Sequence, residues 1–152
     1  MILESNTFKN NEMMPDICSN TPKGENVSPH LSWRDVPTGI KTYSIIMEDK
    51  AIPFFPIIHW MLYNIPEVIR ELPEGMNKQG MISNQIKQGK NWRGQTEYYG
   101  PNPMGGKHKY EIKLYGLNCT ISEEGLDSKT FLGKYKDNVV VEQSIVGYYD
   151  KN

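Results

Sequence analysis

The chain has 152 residues, 38% of them hydrophobic and 23% charged, which fits a single domain over residues 1–152 with one core that needs no disulfide or metal. The formal net charge of -1 supplies no whole-molecule field to attract nucleic acid or an anionic membrane, so no nucleic-acid partner is expected and any anion site must be built locally. The two cysteines, Cys18 and Cys119, lie far apart in sequence, which argues for free thiols in a reducing compartment and against a disulfide scaffold.

The start, Met1-Ile2-Leu3-Glu4-Ser5-Asn6, lacks the basic start and apolar run of a secretory signal, and no stretch approaches the roughly 20 apolar residues that cross a bilayer. A soluble, cytoplasmic protein with no transmembrane segment is expected. Residues 1–23 are polar, broken by Pro15 and Pro22, and read as an irregular or edge-strand lead-in. Pro29 pushes Ser28 toward extended geometry, and Leu31 and Trp33 alternate as in a short half-buried strand. Residues 42–47 are β-branched and aromatic, too short for a typical helix, and predict a buried strand that delivers Glu48 and Asp49 to its carboxyl end.

The next segment, Ala51-Ile52-Pro53-Phe54-Phe55-Pro56, is apolar but twice interrupted by proline, and predicts a loop that packs. Residues 59–65 form a third strand candidate, with Trp60 in the core, and Pro66 bounds it. Residues 67–71 have room for one helical turn before Pro73. Residues 77–96 read as a long surface loop with Met81, Ile82, Ile86 and Trp92 as apolar exceptions.

Residues 107–117 are the clearest strand. His108, Tyr110, Ile112 and Leu114 alternate with Lys107, Lys109, Glu111 and Lys113, which turns His108 inward at the lip of a core. The preceding turn, Gly100-Pro101-Asn102-Pro103-Met104-Gly105-Gly106, has a backbone shaped by proline and freed by glycine, suited to form one wall of a small polar pocket. Asp127 can cap a short amphipathic helix through about Lys136, and a valine-rich run up to Tyr149 favours a last strand. The class is mainly β with short peripheral helices.

His59 and His108 begin strands and Asp49 ends one. Each has an ordinary structural role open to it: a strand-edge histidine satisfied by its neighbours, an aspartate capping a turn. If the three converge, two imidazoles and a carboxylate can make a facial metal triad. They can equally bind an anion, with the imidazoles as donors and backbone N–H groups of the Gly105-Gly106 loop adding positive lining. Spacing does not choose between these, since there is no His pair at i, i+4 and no Cys-x-x-Cys. Gly-x-Ser-x-Gly is also absent, and no cysteine neighbours a histidine.

Four signatures in order carry a further reading. Asn26-Val27-Ser28-Pro29-His30-Leu31-Ser32-Trp33, then Glu48-Asp49 with Pro53, then His59-Trp60, then Gly100-Pro101-Asn102-Pro103 through Gly106-Lys107-His108-Lys109-Tyr110 resemble the phosphatidylethanolamine-binding protein family. The likeness is to its bacterial and archaeal branch, similar to Raf kinase inhibitor proteins. The resemblance implies a central antiparallel sheet packed on a smaller sheet and a small anion pocket at one end, formed by Asp49, Pro53, His59, Gly100, Pro101, His108 and Tyr110. His59 and His108 would donate to a phosphate- or carboxylate-like group, such as a phosphate ester or phospholipid headgroup. Asp49 would orient a histidine or receive a ligand cation.

This chain departs from the family's Asp-Pro-Asp-Ala-Pro, reading Asp49-Lys50-Ala51-Ile52-Pro53, and from its Cys-Pro-Pro and His-Arg-Tyr, reading Asn102-Pro103-Met104 and His108-Lys109-Tyr110. The expectation is a ligand-binding or regulatory protein that is not an enzyme and needs no cofactor, with a homodimer a reasonable state. Two alternatives stand beside it. One is an inhibitor of a protease or kinase that uses the polar loop 77–99; the other is a metalloenzyme that uses His59, His108 and Asp49.

Overall fold

A computed structural model of the protein describes residues 1–78 and 85–152. Part of the long loop foreseen over 77–96, including Met81 and Ile82, lies outside the described residues. The elements in chain order are β1 (Ile2–Glu4), β2 (Glu12–Met13), β3 (Leu31–Arg34), β4 (Thr42–Asp49), β5 (Ile57–Pro66), β6 (Glu71–Leu72), β7 (Lys87–Gln88), β8 (Lys107–Leu117), α1 (Ser128–Tyr135) and β9 (Val139–Asp150). Among the described residues they form a six-stranded sheet, β2-β9-β8-β4-β5-β7, and a three-stranded sheet, β1-β3-β6. Pairing is antiparallel except at the two-residue edge pair β2–β9, which is parallel. The mainly β class with a large and a small sheet is therefore what the chain adopts.

The alternation read from the sequence assigns the faces. Tyr43, Ile45 and Met47 of β4 and Tyr110, Ile112 and Leu114 of β8 pack inward with Leu3, Leu31 and Trp33 of the small sheet, and Trp60 is fully buried among them. The opposite face of the large sheet carries Ile46, Met61, Tyr63 and Tyr115, covered by Phe131 and Tyr135 of α1. Strand β4 is thus buried on both faces, which is why its sequence reads as an almost unbroken apolar run rather than a strict alternation. Helix α1 begins where Asp127 was expected to cap it: its carboxylate accepts the Thr130 N–H at 2.7 Å, and that bond holds its carboxyl below the usual range. Among the described residues no helix is long and apolar enough to cross a membrane.

Two local expectations fail for identifiable reasons. Residues 67–71 make no helical turn; the Ile69 N–H bonds the Pro66 carbonyl at 3.0 Å and the Arg70 guanidinium takes the Glu67 carbonyl, so the chain bends straight into β6. The loop 51–56 does not pack. Its six residues are all exposed, because β4 and β5 have already filled both sheet faces and the loop leaves from the end of the ladder.

Candidate functional site

The carboxyl end of β4 and the amino ends of β5 and β8 meet at one edge of the fold. Asp49 pairs with Tyr110 across β4–β8 and with Ile57 across β4–β5, so it occupies the middle of the three strands. It is 4% exposed. One carboxylate oxygen accepts the Ala51 N–H at 2.8 Å, an aspartate bonding its own backbone two residues on. The other accepts from His108 Nδ1, also at 2.8 Å. That second bond fixes the ring's tautomer and leaves Nε2 as the nitrogen with no partner among the described residues. The His108 side chain is 20% exposed, so it sits at the lip of the core, as its alternation indicated.

His59 arrives by a device that alternation cannot reveal. In the β4–β5 register Met47 faces Trp60 while Glu48 faces Ile58, so His59 is the extra residue of a β-bulge. Unbroken alternation would place it outward with Met61 and Tyr63. The bulge instead turns its ring to the inner side, edge-on to Tyr110 at 5.3 Å between centroids. His59 Nδ1 donates to the Tyr99 carbonyl at 2.6 Å, and Trp92 lies over the ring at 5.1 Å. Burial pushes the His59 pKa below the ordinary histidine value; the Tyr99 carbonyl and the charge of Asp49 act in the opposite direction and do not overcome it. In the unliganded protein at neutral pH the ring is therefore uncharged, with Nε2 carrying a lone pair.

Gly100 and Pro101 form a wall tied down by the N-terminal lead-in. The Gly100 N–H donates to Asn26 Oδ1 at 2.6 Å, the Asn20 N–H donates to the Pro101 carbonyl at 2.9 Å, and the Tyr98 hydroxyl donates to the Cys18 carbonyl at 2.8 Å. The tight glycine is Gly100, since a Cβ there would lie 2.0 Å from the Cys18 carbonyl oxygen. Gly105 and Gly106 stand in the open with nothing within 4 Å, so they are not the close-approach positions of this loop. Pro53 lies in the exposed loop 51–56 and joins none of these bonds.

Two polar atoms in this region, the Tyr110 hydroxyl and Asn102 Oδ1, are buried and make no well-directed hydrogen bond among the described residues, although the hydroxyl lies beside the Asp49 carboxylate and the Asn102 backbone. Burial, with the negative charge of Asp49 added, raises the Tyr110 hydroxyl far above its usual pKa, so it remains an O–H donor. Asn26, Trp92, Tyr99 and Asn102 take part without being among the expected pocket residues. A signal existed for three of them: Asn26 opens the first signature, Asn102 lies in the fourth, and Trp92 is a lone aromatic in a polar loop.

A concavity of about 310 Å³ lies on the outer sheet face against α1, lined by residues such as Ile46, Ile58, Tyr115 and Leu132. It contains no histidine and no sealed polar atom without a partner; chemistry, not volume, distinguishes the Asp49 edge. Among the described residues no group of three or more His, Cys, Asp or Glu comes together as a metal-ligand set, which leaves the facial-triad alternative without support.

Comparison with known proteins agrees with this architecture. The family model described as phosphatidylethanolamine-binding protein matches residues 4–150. A UPF0098 protein of Aquifex aeolicus is 35% identical over 97% of this chain and 87% of its own length. One from Methanothermobacter thermautotrophicus is 32% identical over 98% of each. The crystal structure of a phosphatidylethanolamine-binding protein homologue from Chlamydia trachomatis superposes with a TM-score of 0.87 at 30% identity, covering 99% of this chain and 97% of that one. YbcL of E. coli shares the fold at a TM-score of 0.89 and 24% identity, over 99% of this chain and 98% of its own. With its ordered signatures, its pair of sheets and a family match across nearly its whole length, this chain belongs to the phosphatidylethanolamine-binding protein family.

Proposed function

We propose that this protein is a small binding or regulatory protein, not an enzyme, whose ligand carries a phosphate- or carboxylate-like group held between Asp49, His59, Gly100, Pro101, His108 and Tyr110, with Pro53 on the approach. The observation that carries the reading is the pair of imidazoles each anchored through Nδ1, with His59 edge-on to Tyr110 and the buried Tyr110 hydroxyl and Asn102 Oδ1 making no well-directed bond among the described residues. An oxyanion that also bears a proton, such as a phosphate monoester, offers acceptors to Tyr110 and a donor to Asn102.

The sign of the pH dependence follows from His59. Its Nδ1 proton is committed to the Tyr99 carbonyl, and its pKa lies below the ordinary value. To donate from Nε2 it must take up a proton when an anion binds. Affinity is therefore expected to rise as pH falls from about 8 to 5, and to keep rising below the reference value of about 6.5, by at most roughly tenfold per pH unit for each proton taken up. Calorimetry with sulfate, which does not titrate in this range and so probes the imidazole and hydroxyl donors without the ligand proton offered to Asn102, run in buffers of different ionisation enthalpy, reads the proton count directly. A flat profile, or unchanged affinity in His108→Ala, overturns the reading.

Tyr110→Phe separates a binding role from a structural one. Removing a buried hydroxyl that makes no well-directed bond is expected to change stability by no more than about 1 kcal/mol without ligand, while sulfate affinity falls by about tenfold through loss of a hydrogen bond to a charged group. Equal affinity in the two proteins would make the hydroxyl a bystander.

A further inference from the structure

The face of the large sheet turned away from the proposed anion site is only partly roofed. Helix α1 has eight residues, about 12 Å of helix, over a sheet six strands and about 24 Å across. Beside the helix runs a trough in two contiguous parts. One is the concavity of about 310 Å³ floored by Ile46, Ile58 and Tyr115; the other, about 660 Å³, continues past Gly133 to Val139 and Glu142, and Lys113, Tyr115 and Leu132 border both. Leu132, on the helical wall, is 47% exposed. Gly133 follows it inside the short helix, where glycine is less favourable than alanine. Nothing within the described chain requires a glycine there, because a Cβ would meet no atom within 4 Å. A bare stretch of backbone on the wall of a trough leaves room for another chain to come close.

The charges at the floor specify what enters. Tyr115 is 5% exposed, and its hydroxyl opens into the trough without a hydrogen bond to any described residue. Glu142 lies directly across from it in the β8–β9 register. Burial, with the charges of Glu142, Glu111 and Glu48 added, raises the hydroxyl's pKa to about 12, so it stays protonated with its oxygen lone pairs unused. Glu48 and Glu111 also face each other across β4–β8, a like-charge pairing that disfavours the sheet. Lys50, 3.5 Å from Glu48, and Lys113, 4.0 Å from Glu111, offset part of that repulsion, while Glu142 has no ion pair among the described residues. Lys129 and Lys136 also line the walls, but the charges acting on the Tyr115 hydroxyl are the three carboxylates, so a group that reaches the floor meets negative potential.

We propose that this trough docks a polypeptide segment of another protein, anchored by an arginine whose aliphatic stem lies along Leu132 and Ile46 and whose guanidinium donates to the Tyr115 hydroxyl and Glu142, with the segment's backbone passing over Gly133. Glu111 and Glu48 add attraction from farther along the floor. Arginine suits the position better than lysine, because a guanidinium is less strongly hydrated and presents several donors in one plane to a hydroxyl and a carboxylate together. A small free cation would make no use of the room at Gly133. The sheet itself separates this face from Asp49 and His108, and docking uses none of the groups proposed to hold the anion.

Fluorescence anisotropy with a labelled peptide, Leu-Arg-Leu-Arg-Leu blocked at both ends, tests the proposal on the full chain, with the Leu-Lys-Leu-Lys-Leu and Leu-Glu-Leu-Glu-Leu peptides and spermidine as competitors. The arginine peptide is expected to bind saturably with a Kd on the order of 100 μM and to weaken with salt. The lysine peptide should compete less well, and the glutamate peptide and spermidine should not compete. Gly133→Leu fills the space beside the helix and is expected to reduce affinity by at least about tenfold. Its urea midpoint should not fall, since leucine is the better helix former and the added side chain starts in open space. Tyr115→Phe and Glu142→Gln should each weaken the peptide several-fold, and sulfate binding should be unchanged in all three variants, which keeps this test separate from that of the anion site. Absence of saturable binding by the arginine peptide overturns the proposal, as does equal affinity in Gly133→Leu. Displacement by spermidine with an affinity that Gly133→Leu leaves unchanged would assign the floor to a free cation and overturn it too. A wild-type dimer that Gly133→Leu converts to monomer would assign the trough to a second copy, with the same consequence.

Discussion

Gly100→Ala is expected to be among the most destabilising conservative substitutions in the chain, on the order of 3 kcal/mol, the upper part of the range for overpacking. An added Cβ would meet the Cys18 carbonyl oxygen at 2.0 Å and the Asn20 nitrogen and Asn26 Oδ1 at 3.1 Å. None of these is a free side-chain end that can swing away. Cys18 O accepts the Tyr98 hydroxyl, Asn20 N donates to Pro101, and Asn26 Oδ1 accepts from Gly100 itself. Relief therefore requires pulling the site wall off the N-terminal segment, and sulfate affinity should fall with stability. Urea unfolding would show a midpoint lower by about 1–3 M with an unchanged slope, given slopes of about 1–3 kcal/mol/M. Gly105→Ala is the matched control, because nothing lies within 4 Å of a Cβ there; its expected effect is within about 0.5 kcal/mol. Equal stability of the two variants would contradict the wall described above.

Asn26→Ala should approach the same magnitude by a different route. Asn26 sits at φ 54, a conformation asparagine tolerates better than alanine. Its amide bonds both sides of the wall, accepting the Gly100 N–H at 2.6 Å and donating to the Tyr98 carbonyl at 3.2 Å. Truncation orphans a buried backbone donor, costing about 1–3 kcal/mol, and adds backbone strain of about 1 kcal/mol. A total near 3 kcal/mol is expected in urea unfolding. Asn26→Asp keeps the acceptor for Gly100 and should recover more than half of the loss, whereas Asn26→Gly relieves only the strain and should recover less. If glycine rescues better than aspartate, strain dominates and the hydrogen bond to Gly100 is not what holds the wall.

Both substitutions probe residues whose importance was unevenly legible. The strands were legible because period-two burial leaves a direct trace: Tyr110, Ile112 and Leu114 face inward as their spacing states. The cap at Asp127 was legible because its interaction spans only three residues. Asn26 was seen only as part of a signature, since its hydrogen bond to Gly100 joins residues 74 apart, and nothing in the local pattern encodes that contact. The same distance hid Tyr99, whose contribution is a backbone carbonyl independent of its side-chain identity. The loop 51–56 was misread for a related reason. Apolar composition implies packing only where the fold leaves room, and here both faces of the adjoining strands are already covered.

What the sequence determined by itself was the class, the strand faces, the capped helix and the set of residues able to carry polar chemistry, because each depends on neighbours within a few positions. Tertiary structure decided which of those residues meet. Asp49 reaches His108 through the β4–β8 register. His59 turns toward Tyr110 because a bulge shifts its strand by one residue. The lead-in segment becomes the buttress of the Gly100 wall through hydrogen bonds from far along the chain. Register shifts and long-range bonds depend on how whole strands fit together, and a one-residue slip reverses every side chain beyond it; no local pattern carries that information.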